Sequence, residues 1–299
     1  MKILTIIVTY NAMKWADKCF ESLQNSTVKP DVYVVDNGST DGTQEYIQKN
    51  YPNVFFCQSK NNLGFGKANN KGLQYALDNN YDYVYLLNQD AWVLPETFEK
   101  LISYSMKYPK YGILSPFQMN SDLYNIDAKF VINVCSWHSN RTLFTDMYNQ
   151  RISDVYSVPE VMAAHWLITR SCLRKIGGFS PSFSHYGEDG NYCDRLLFHA
   201  IEIGIVPSLK VVHDRGNREE SKGRFVFFDC YIRFLRLFSD PNQQGFHIGL
   251  IVFLFRHNVS KCLTYRTLQP LKYVFLILIH IKSVIKNREL SLRNDCAFL

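Results

Sequence analysis

Short apolar, β-branched runs alternate with amphipathic stretches through the first third of the chain, and this alternation most limits the possible fold. The sequence predicts strands at 3–9, 32–35, 54–57 and 83–87. Helices are predicted after them, at 13–23, after Asp41, from the glycine-rich 64–66 to about Asn79, and at 95–107. Strands and helices in this order form right-handed βαβ units around a parallel sheet. The chain is therefore predicted to be an α/β protein.

Beyond residue 111 the alternation is less regular. The sequence predicts strands at 113–119, 130–134, 165–169 and 205–212, an exposed connection at 136–158, and a helix from Glu188 to about Ile203. The remainder is predicted to be helical, at 225–238, 246–256 and 271–286. We therefore expect a sheet domain over 1–223 and a helical extension over 224–299.

Composition narrows the class of protein. A chain of 299 residues can form one large domain or two smaller ones. Its eight cysteines include no CxxC pair, which argues against a zinc knuckle or redox motif and favours free thiols in a reducing compartment. No apolar run reaches the ~18 residues that a spanning helix needs, and residues 1–10 are too short for a signal peptide.

The net charge of +6 is concentrated in the last third. From Lys210 onward there are 15 Lys and Arg against 7 Asp and Glu, so the rest of the chain is slightly acidic. Nucleic acid and an anionic membrane surface are the two partners that such a basic segment suits. A helical cap packed on the sheet domain, with its charges simply solvated, is the structural alternative.

Acidic and imidazole side chains follow several predicted strands. Asp36 and Asp90 come at strand ends, Glu188 and Asp189 open a helix, and His213 closes the last strand. Each has a structural alternative, since acids cap helices and turns and a lone histidine often packs in a core. The helix dipole is expected to keep both acids at 188–189 ionised. Because ligands bind beyond the carboxyl ends of strands, convergence on one shared site is the better account.

The Gly64-Phe65-Gly66 loop would let the backbone approach a ligand closely, and the asparagines just after it could add polar contacts. The loop lacks the third glycine of a dinucleotide fingerprint and the Gly-Lys-Ser/Thr of a P-loop. Both of those nucleotide sites are therefore excluded.

The same residues carry a family resemblance. TIIVTYN (5–11), VVDNGSTD (34–41), NLGFGKANN (62–70), NQD (88–90) and GGF followed by Glu188-Asp189 resemble the family 2 glycosyltransferases, most of all their bacterial rhamnosyltransferase-like branch. The resemblance covers residues 1–216 in the family's order. It implies a GT-A fold, a Rossmann-like, mostly parallel mixed sheet flanked by helices. It also implies a nucleotide-diphosphate sugar donor, Mg²⁺ or Mn²⁺, and inversion at the anomeric carbon.

The resemblance also assigns roles to individual residues. Asp36 would bind the pyrimidine of the donor, in a pocket that Thr9 and Asn11 line. Asp90 would hold the metal with His213, and Asp189 would be the catalytic base, with Glu188 beside it. The further donor-binding residues are Asn62, Gly64, Lys67, Asn69 and Asn88.

The chain departs from the family pattern at two positions. Asn88 replaces the first acid of the DxD metal motif, and Asn191 stands where the family often has a further acid. A GT-A protein that binds a nucleotide sugar with little turnover is therefore the alternative function. A sugar nucleotidyltransferase is disfavoured, because no glycine-rich basic loop follows the first strand.

The resemblance completes the expected setting. Thymidine-diphosphate rhamnose is the first candidate donor, ahead of uridine-diphosphate hexoses, and a glycan or lipid-linked acceptor is expected in the synthesis of a surface polysaccharide. Nucleic acid is not an expected partner. The expected location is the cytoplasm, peripheral to the inner face of the plasma membrane.

Overall fold

A computed structural model describes residues 1–134, 141–215, 225–243 and 248–299. Within these ranges the strands β1 to β9 are Ile3–Thr9, Asp31–Asp36, Phe55–Gln58, Tyr83–Asn88, Ala91–Trp92, Tyr111–Met119, Tyr156–Val158, His165–Thr169 and Glu202–His213. The helices α1 to α11 are Ala16–Gln24, Thr43–Asn50, Phe65–Asp78, Thr97–Lys107, Ala128–Val134, Arg141–Tyr148, Arg170–Ile176, Glu188–Phe198, Phe225–Ser239, Ile248–Tyr265 and Gln269–Ser291.

The strands form one mixed, mostly parallel sheet in the order β3-β2-β1-β4-β8-β6-β9-β5, with β7 beside β9. Strand β1 pairs in parallel with both β2 and β4, whereas β8 runs antiparallel to its neighbours β4 and β6. The chain moves outward from β1 to β2 and β3, and then returns to the other side of β1 as β4. The carboxyl ends of β1 and β4 therefore form a switch point, where α/β sheets bind ligands.

Helices cover both faces of the sheet, because its central strands are apolar on both sides. In β1, Ile3 and Ile7 pack in one core with residues of α1 and α4, while Leu4 and Ile6 pack in another with residues of α3, α7 and α8. The predicted α/β fold, with a mostly parallel mixed sheet flanked by helices, is confirmed.

Two predictions between residues 128 and 158 are wrong. Residues 130–134 belong to helix α5 and not to a strand, because the Asp127 carboxylate caps the helix by accepting from the Phe130 N–H at 2.7 Å. Phe130 and Val134, one turn apart, then bury the same face of the helix. The predicted connection at 136–158 contains α6 and β7 where it is described, and its residues 136–140 lie outside the described ranges.

The helix that begins at Glu188 is shorter than predicted. It ends at Phe198, and the backbone then turns through Ala200, which has a positive φ of 53°. Strand β9 follows and pairs in parallel with β6 from Glu202 onward. Sheet pairing therefore takes residues that the helical pattern had included.

The C-terminal helices form a third core with a side chain from the rest of the chain. Phe183 packs in this cluster beside Phe234 and Phe238 of α9, Leu254 of α10 and Ile277 of α11. Residue 223, the predicted domain boundary, lies outside the described ranges, as do residues 246–247 of the second predicted C-terminal helix. Among the helices that the structure describes, none is long and apolar enough to cross a membrane. The seven described cysteines are free thiols.

Candidate active site

The carboxyl ends of β1 and β4 are joined by one side chain, Gln89. Its Oε1 accepts from the Tyr10 N–H at 2.7 Å, and its amide donates to the Tyr10 carbonyl at 3.1 Å. This two-way link fixes the backbone at the switch point. Asn88 and Asp90, on either side of Gln89, are thereby held at the position where the fold favours a ligand.

Strand β9 brings His213 to the same place. Residues Ala91 and His213 are paired in the β5–β9 ladder, and the Asp214 N–H donates to the Asp90 carbonyl at 2.7 Å. The His213 Nε2 lies 3.5 Å from the Asp90 Oδ1 and 3.4 Å from the Asn88 Nδ2. The structure therefore brings together Asn88 and Asp90, from the end of β4, with His213, from the end of β9.

Asn88 has an unsatisfied atom at this point. Within the described part of the chain its buried Oδ1 has no hydrogen-bond partner. A buried polar atom left in this way costs about 1–3 kcal/mol, so native structures seldom keep one without a ligand, water or ion to satisfy it. The Asn88 oxygen is one of seven such atoms among the described residues, and it lies at the switch point.

Sequence reasoning missed two charged residues beside His213. The buried Asp127 places its Oδ2 at 3.4 Å from the Arg215 Nε and at 4.0 Å from the His213 Nδ1. The Arg215 Nε lies 3.4 Å from the same imidazole nitrogen. The signal for Asp127 was its place as the cap of α5, which the predicted strand at 130–134 concealed.

Asp36, the proposed pyrimidine ligand, is fully buried and accepts five hydrogen bonds from the protein. One oxygen accepts from the Thr9 and Ser39 hydroxyls, and the other from the backbone N–H groups of Gly38 and Ser39 and from the Gln44 amide. A base N–H could reach this carboxylate only by displacing one of these donors. Asp36 therefore holds the turn after β2, and it does not cap helix α2, whose N-cap is Gly42.

The neighbouring polar residues divide by exposure. Thr9 is buried against Asp36, whereas Asn11 is exposed and its Oδ1 accepts from the Thr40 N–H at 2.9 Å. Asn62 is exposed and accepts from the Gly64 N–H at 2.8 Å, and Lys67 is exposed on the first turn of α3. Asn11, Asn62 and Lys67 thus present polar groups to solvent around the loop after β2.

The glycine-rich loop at residues 64–66 lies close to the backbone of another segment. This packing explains the two glycines without the ligand that the sequence predicted there. Gly64 has a φ of 78°, and a Cβ there would lie 2.2 Å from the Ser184 carbonyl oxygen. A Cβ on Gly66 would lie 2.9 Å from that of Phe179 and 3.7 Å from that of Glu188. Asn69 is also buried, donating to the Phe65 carbonyl. The two glycines therefore let the segment before α8 lie against the start of α3.

This contact places Glu188 beside the start of α3, the helix that follows β3. Burial, followed by the nearby Asp189 carboxylate, raises the pKa of Glu188 to about 8. The expectation that both acids stay ionised is thus wrong for Glu188, because the cost of removing its charge from water exceeds the attraction of the helix dipole. Within the described ranges the buried Glu188 Oε2 has no hydrogen-bond partner. Asp189 is half-buried, and its Oδ1 accepts from the Gly190 N–H at 2.8 Å.

Comparison with known proteins decides the family. Residues 5–177, more than half of the chain, match the family model described as "Glycosyl transferase family 2". The chain belongs to this family. It is therefore a glycosyltransferase of glycan synthesis. The match to the family model confirms the family that the motifs indicated.

Two curated relatives are similar over most of the chain. An N-acetylglucosaminyl-diphospho-decaprenol L-rhamnosyltransferase from Mycobacterium tuberculosis is 27% identical over 71% of this chain and 76% of its own length. A dTDP-rhamnosyl transferase, RfbF, from Shigella flexneri is 22% identical over 72% of this chain and 70% of its own length.

Solved glycosyltransferases share the fold. A structure of residues 1–349 of TarS from S. aureus with UDP-GlcNAc has a TM-score of 0.61 at 17% identity, covering 98% of this chain and 84% of that one. The mannosyltransferase PcManGT from Pyrobaculum calidifontis, with GDP-Man and Mn²⁺, has a TM-score of 0.55 at 16% identity, covering 97% and 73%. A second structure contains a longer TarS chain, and this chain covers 44% of that one.

The residues at the switch point suit a divalent ion only if the donor completes its coordination. No group of three His, Cys, Asp or Glu within the described residues could hold a metal ion by itself. The Asp90 carboxylate, the unpartnered Asn88 oxygen and the His213 imidazole are nevertheless a mixed oxygen and nitrogen set. Mg²⁺ and Mn²⁺ accept such donors, and Mg²⁺ commonly takes its remaining ligands from phosphates and water. The donor set therefore fits a metal that arrives with a diphosphate.

Asn191 lies at the contact between α8 and α9, and within the described residues its buried Oδ1 has no hydrogen-bond partner. Its side chain is buried, and its Nδ2 donates to the Ser239 carbonyl of α9 at 3.4 Å. The departure at this position thus belongs to the contact between α8 and α9.

Proposed function

We propose that this glycosyltransferase moves a sugar from a nucleotide-diphosphate donor to a hydroxyl group of a glycan or lipid-linked acceptor, with inversion at the anomeric carbon. Rhamnose is the first candidate sugar, because the names of both curated relatives specify rhamnosyl transfer. A lipid-linked acceptor has the same kind of support, since the name of the mycobacterial relative includes a decaprenol diphosphate. The single observation that carries the proposal is the grouping of Asp90, His213 and Asn88, which has an unpartnered oxygen, at the switch point.

The donor would lie across the carboxyl ends of β2, β1 and β4. Its pyrimidine would sit at the loop after β2, which Asp36 and Thr9 hold in place and where Asn11, Asn62, Gly64, Lys67 and Asn69 surround the entry. Direct contact between the base and Asp36 requires one internal donor to leave. Gln44 is the best candidate, because its amide also donates to the Ser39 carbonyl at 2.8 Å and would keep that bond.

The diphosphate would lie beside Asn88, Asp90 and His213, and these three residues would hold a divalent ion against it. Such an ion, when bound, supplies positive charge that offsets the charge of the leaving nucleoside diphosphate. Arg215 lies next to His213, where it also pairs with Asp127. Its guanidinium suits phosphate oxygens, which it can bind with two parallel hydrogen bonds.

Asp189 would act as the general base. It takes the proton of the acceptor hydroxyl while that oxygen bonds to the anomeric carbon and the bond from this carbon to the diphosphate oxygen breaks. Attack from the face opposite the leaving group inverts the carbon in one displacement. Glu188, which holds its proton at neutral pH because its pKa is about 8, would stabilise the site as a hydrogen-bond donor.

A panel of nucleotide sugars tests this proposal. Thermal unfolding is measured with dTDP-rhamnose, UDP-GlcNAc and GDP-mannose, each with and without Mn²⁺, because a ligand at 100 times its Kd stabilises a protein by about 2.7 kcal/mol. We expect one donor to raise the Tm more with Mn²⁺ than without it. Transfer to a polyprenyl-diphosphate sugar should then require Asp90 and Asp189, and NMR of the product should show an inverted anomeric carbon.

Three results would overturn the proposal in different ways. Stabilisation without transfer or hydrolysis would favour the alternative, a protein that only binds nucleotide sugars. Retention of the anomeric configuration would exclude the single displacement. Full activity of Asp90→Ala with an added chelator would exclude the metal site.

A further inference from the structure

The C-terminal helices contact the rest of the protein unevenly. Arg236 of α9 pairs with Asp194 of α8 through its Nε at 2.6 Å, and a Cβ on Gly187 would meet Ile232 of α9 at 2.7 Å. The end of α11 is also anchored, since the His199 Nε2 lies 2.9 Å from the Ser291 carbonyl oxygen. These segments are the helical cap that the sequence offered as one alternative.

Helix α10 and the first half of α11 are arranged differently. They form an antiparallel pair joined by a short turn at residues 266–268, and Leu254, Val274 and Ile277 point into the shared core. Each helix also carries exposed apolar residues four positions apart, which we together call the outer hairpin face: Phe255, Val259, Leu263, Leu271, Phe275 and Ile279.

The exposure of this face is greatest near the turn. Leu263 is 77% exposed and Phe275 is 64% exposed, and Leu268, in the turn between the two helices, is 75% exposed. Isolated exposed apolar residues are ordinary, but a row of them on two adjacent helices typically marks an interaction surface.

The charge of the hairpin identifies the kind of partner. From residue 248 to residue 288 the sequence contains seven Lys and Arg and no Asp or Glu, and acidic residues return only at Glu289. Arg266 lies in the turn itself, and Lys272 and Arg256 are exposed on the two helices beside the outer hairpin face. A surface that is apolar in its centre and basic at its edges suits a membrane interface rich in anionic lipid.

We infer that the outer hairpin face docks on an anionic lipid bilayer, with its leucines and phenylalanines among the acyl chains and its basic side chains at the headgroups. In this inference the hairpin lies on the membrane surface and does not cross it. This inference stands independently of the donor and acceptor proposed above, because it concerns a different surface.

The hairpin also connects to the candidate active site. Tyr273 of α11 lies 6.3 Å from the ring of Phe228 in α9, and Phe228 lies 6.1 Å from the ring of Tyr186. Tyr186 is two residues before Glu188 and has a positive φ of 66°. Docking through the hairpin would therefore hold the start of α8 at a fixed position relative to the bilayer, which is where a lipid-linked acceptor would be presented.

Vesicle flotation with the full chain tests the inference, without donor, metal or acceptor. We expect the protein to float with vesicles of phosphatidylcholine mixed with phosphatidylglycerol and to remain unbound with phosphatidylcholine alone. Leu263→Ser combined with Leu268→Ser should reduce the partition coefficient by roughly tenfold or more, since each leucine removed loses apolar area at the interface. Lys272→Glu should reduce it by at least about fivefold, and added salt should weaken binding further.

Matched controls distinguish binding through this surface from nonspecific adsorption to vesicles. Met106→Ser removes a similarly exposed apolar residue on α4, at 62% exposure, and Lys49→Glu reverses an exposed charge on α2; neither should change flotation. The far-ultraviolet circular dichroism of each variant confirms folding.

The inference is overturned if the wild-type protein does not float with anionic vesicles or floats equally well with neutral ones. It is also overturned if Met106→Ser reduces flotation as much as the double variant Leu263→Ser/Leu268→Ser does. It is also overturned if light scattering shows a dimer that the leucine pair disrupts while wild type does not float, because the face would then bind a second copy. Because flotation needs no turnover, it can fail while sugar transfer succeeds, or the reverse.

Discussion

The end of β2 and the start of α8 both bury an acid at the candidate active site, but their surroundings are opposite. Asp36 accepts five hydrogen bonds from four neighbouring residues. Glu188 has an unpartnered oxygen among the described residues, and burial raises its pKa to about 8. A satisfied acid stabilises the fold around it, whereas an unsatisfied one costs stability unless a ligand completes its contacts. Substitutions should therefore lower stability at β2, whereas at α8 they should change function or raise stability.

The largest effect should come from Asp189→Asn. The amide keeps the shape of the side chain but cannot accept the acceptor's proton, so the rate of transfer should fall by about 10²- to 10⁴-fold. Because Asp189 is half-buried and, among the residues that the structure describes, accepts only from its neighbour's N–H, the Tm should stay nearly constant. Turnover kinetics and thermal unfolding check both parts. Unchanged turnover would remove Asp189 from the role of base.

Asp36→Ala should have the next largest effect, which should be a decrease in the free energy of unfolding. It leaves several buried donors without an acceptor, at about 1–3 kcal/mol each, so we expect a total loss of about 3–5 kcal/mol. Urea unfolding measures it, with the exposed Asp78→Ala as the control, which should change stability by less than about 0.5 kcal/mol. A loss of donor binding with no loss of stability would show that Asp36 serves the ligand more than the fold.

Glu188→Gln should stabilise the protein in a pH-dependent way. The folded-state pKa of about 8 lies above the unfolded value of 4.5, so the folded protein keeps a proton that the unfolded chain releases. The stability of wild type should therefore fall as the pH rises from about 4.5 to 8. In Glu188→Gln this pH-dependent loss of stability should be absent, because the glutamine side chain does not titrate. Relative to wild type, the variant should gain roughly 2–4 kcal/mol between pH 4.5 and pH 8.

Glu202→Gln is the control with the opposite sign. Hydrogen bonds from Ser157 and then Lys110 lower the pKa of Glu202, so its contribution is present above the unfolded pKa and is lost as the pH falls. This variant should therefore lose stability at neutral pH, and the difference should disappear in acid. If the two variants show the same trend, the burial of Glu188 is not what raises its pKa.

The smallest effect should come from Asn88→Ala. Its Oδ1 has no partner among the described residues, so removing it should change stability by less than about 1 kcal/mol. Affinity for Mn²⁺ in the presence of donor should fall severalfold, as calorimetry can measure. Asn70→Ala is the matched contrast, because Asn70 bonds the Phe179 backbone in both directions and should cost stability without changing metal affinity.

The sequence predicted the central strands and their polar ends because both are local signals. Strands β1, β2 and β4 are apolar runs that stop at polar residues, and their order along the chain implies one rim. The role of Asp127 was hidden, because Val131 and Ile132 favour a strand locally, whereas the cap and the burial of Phe130 favour a helix.

The protonation of Glu188 and the position of Asn191 depend on distant segments. Glu188 is buried because Gly66, far away in sequence, lets α3 and α8 approach, and local reasoning could offer only the helix dipole. Asn191 bonds to Ser239, which belongs to a helix that follows a stretch outside the described residues. Such contacts between segments remote in sequence have no local pattern.

The central claim is that Asp90 holds the donor and its metal, while Asp189 acts on the acceptor at the same rim. Calorimetric titration of the donor, with and without Mn²⁺, into Asp90→Ala and Asp189→Asn tests it most directly. The account predicts that Asp189→Asn binds the donor with the full Mn²⁺ enhancement of wild type and that Asp90→Ala loses this enhancement. An Mn²⁺ enhancement that survives in Asp90→Ala, or that vanishes in Asp189→Asn, would contradict it.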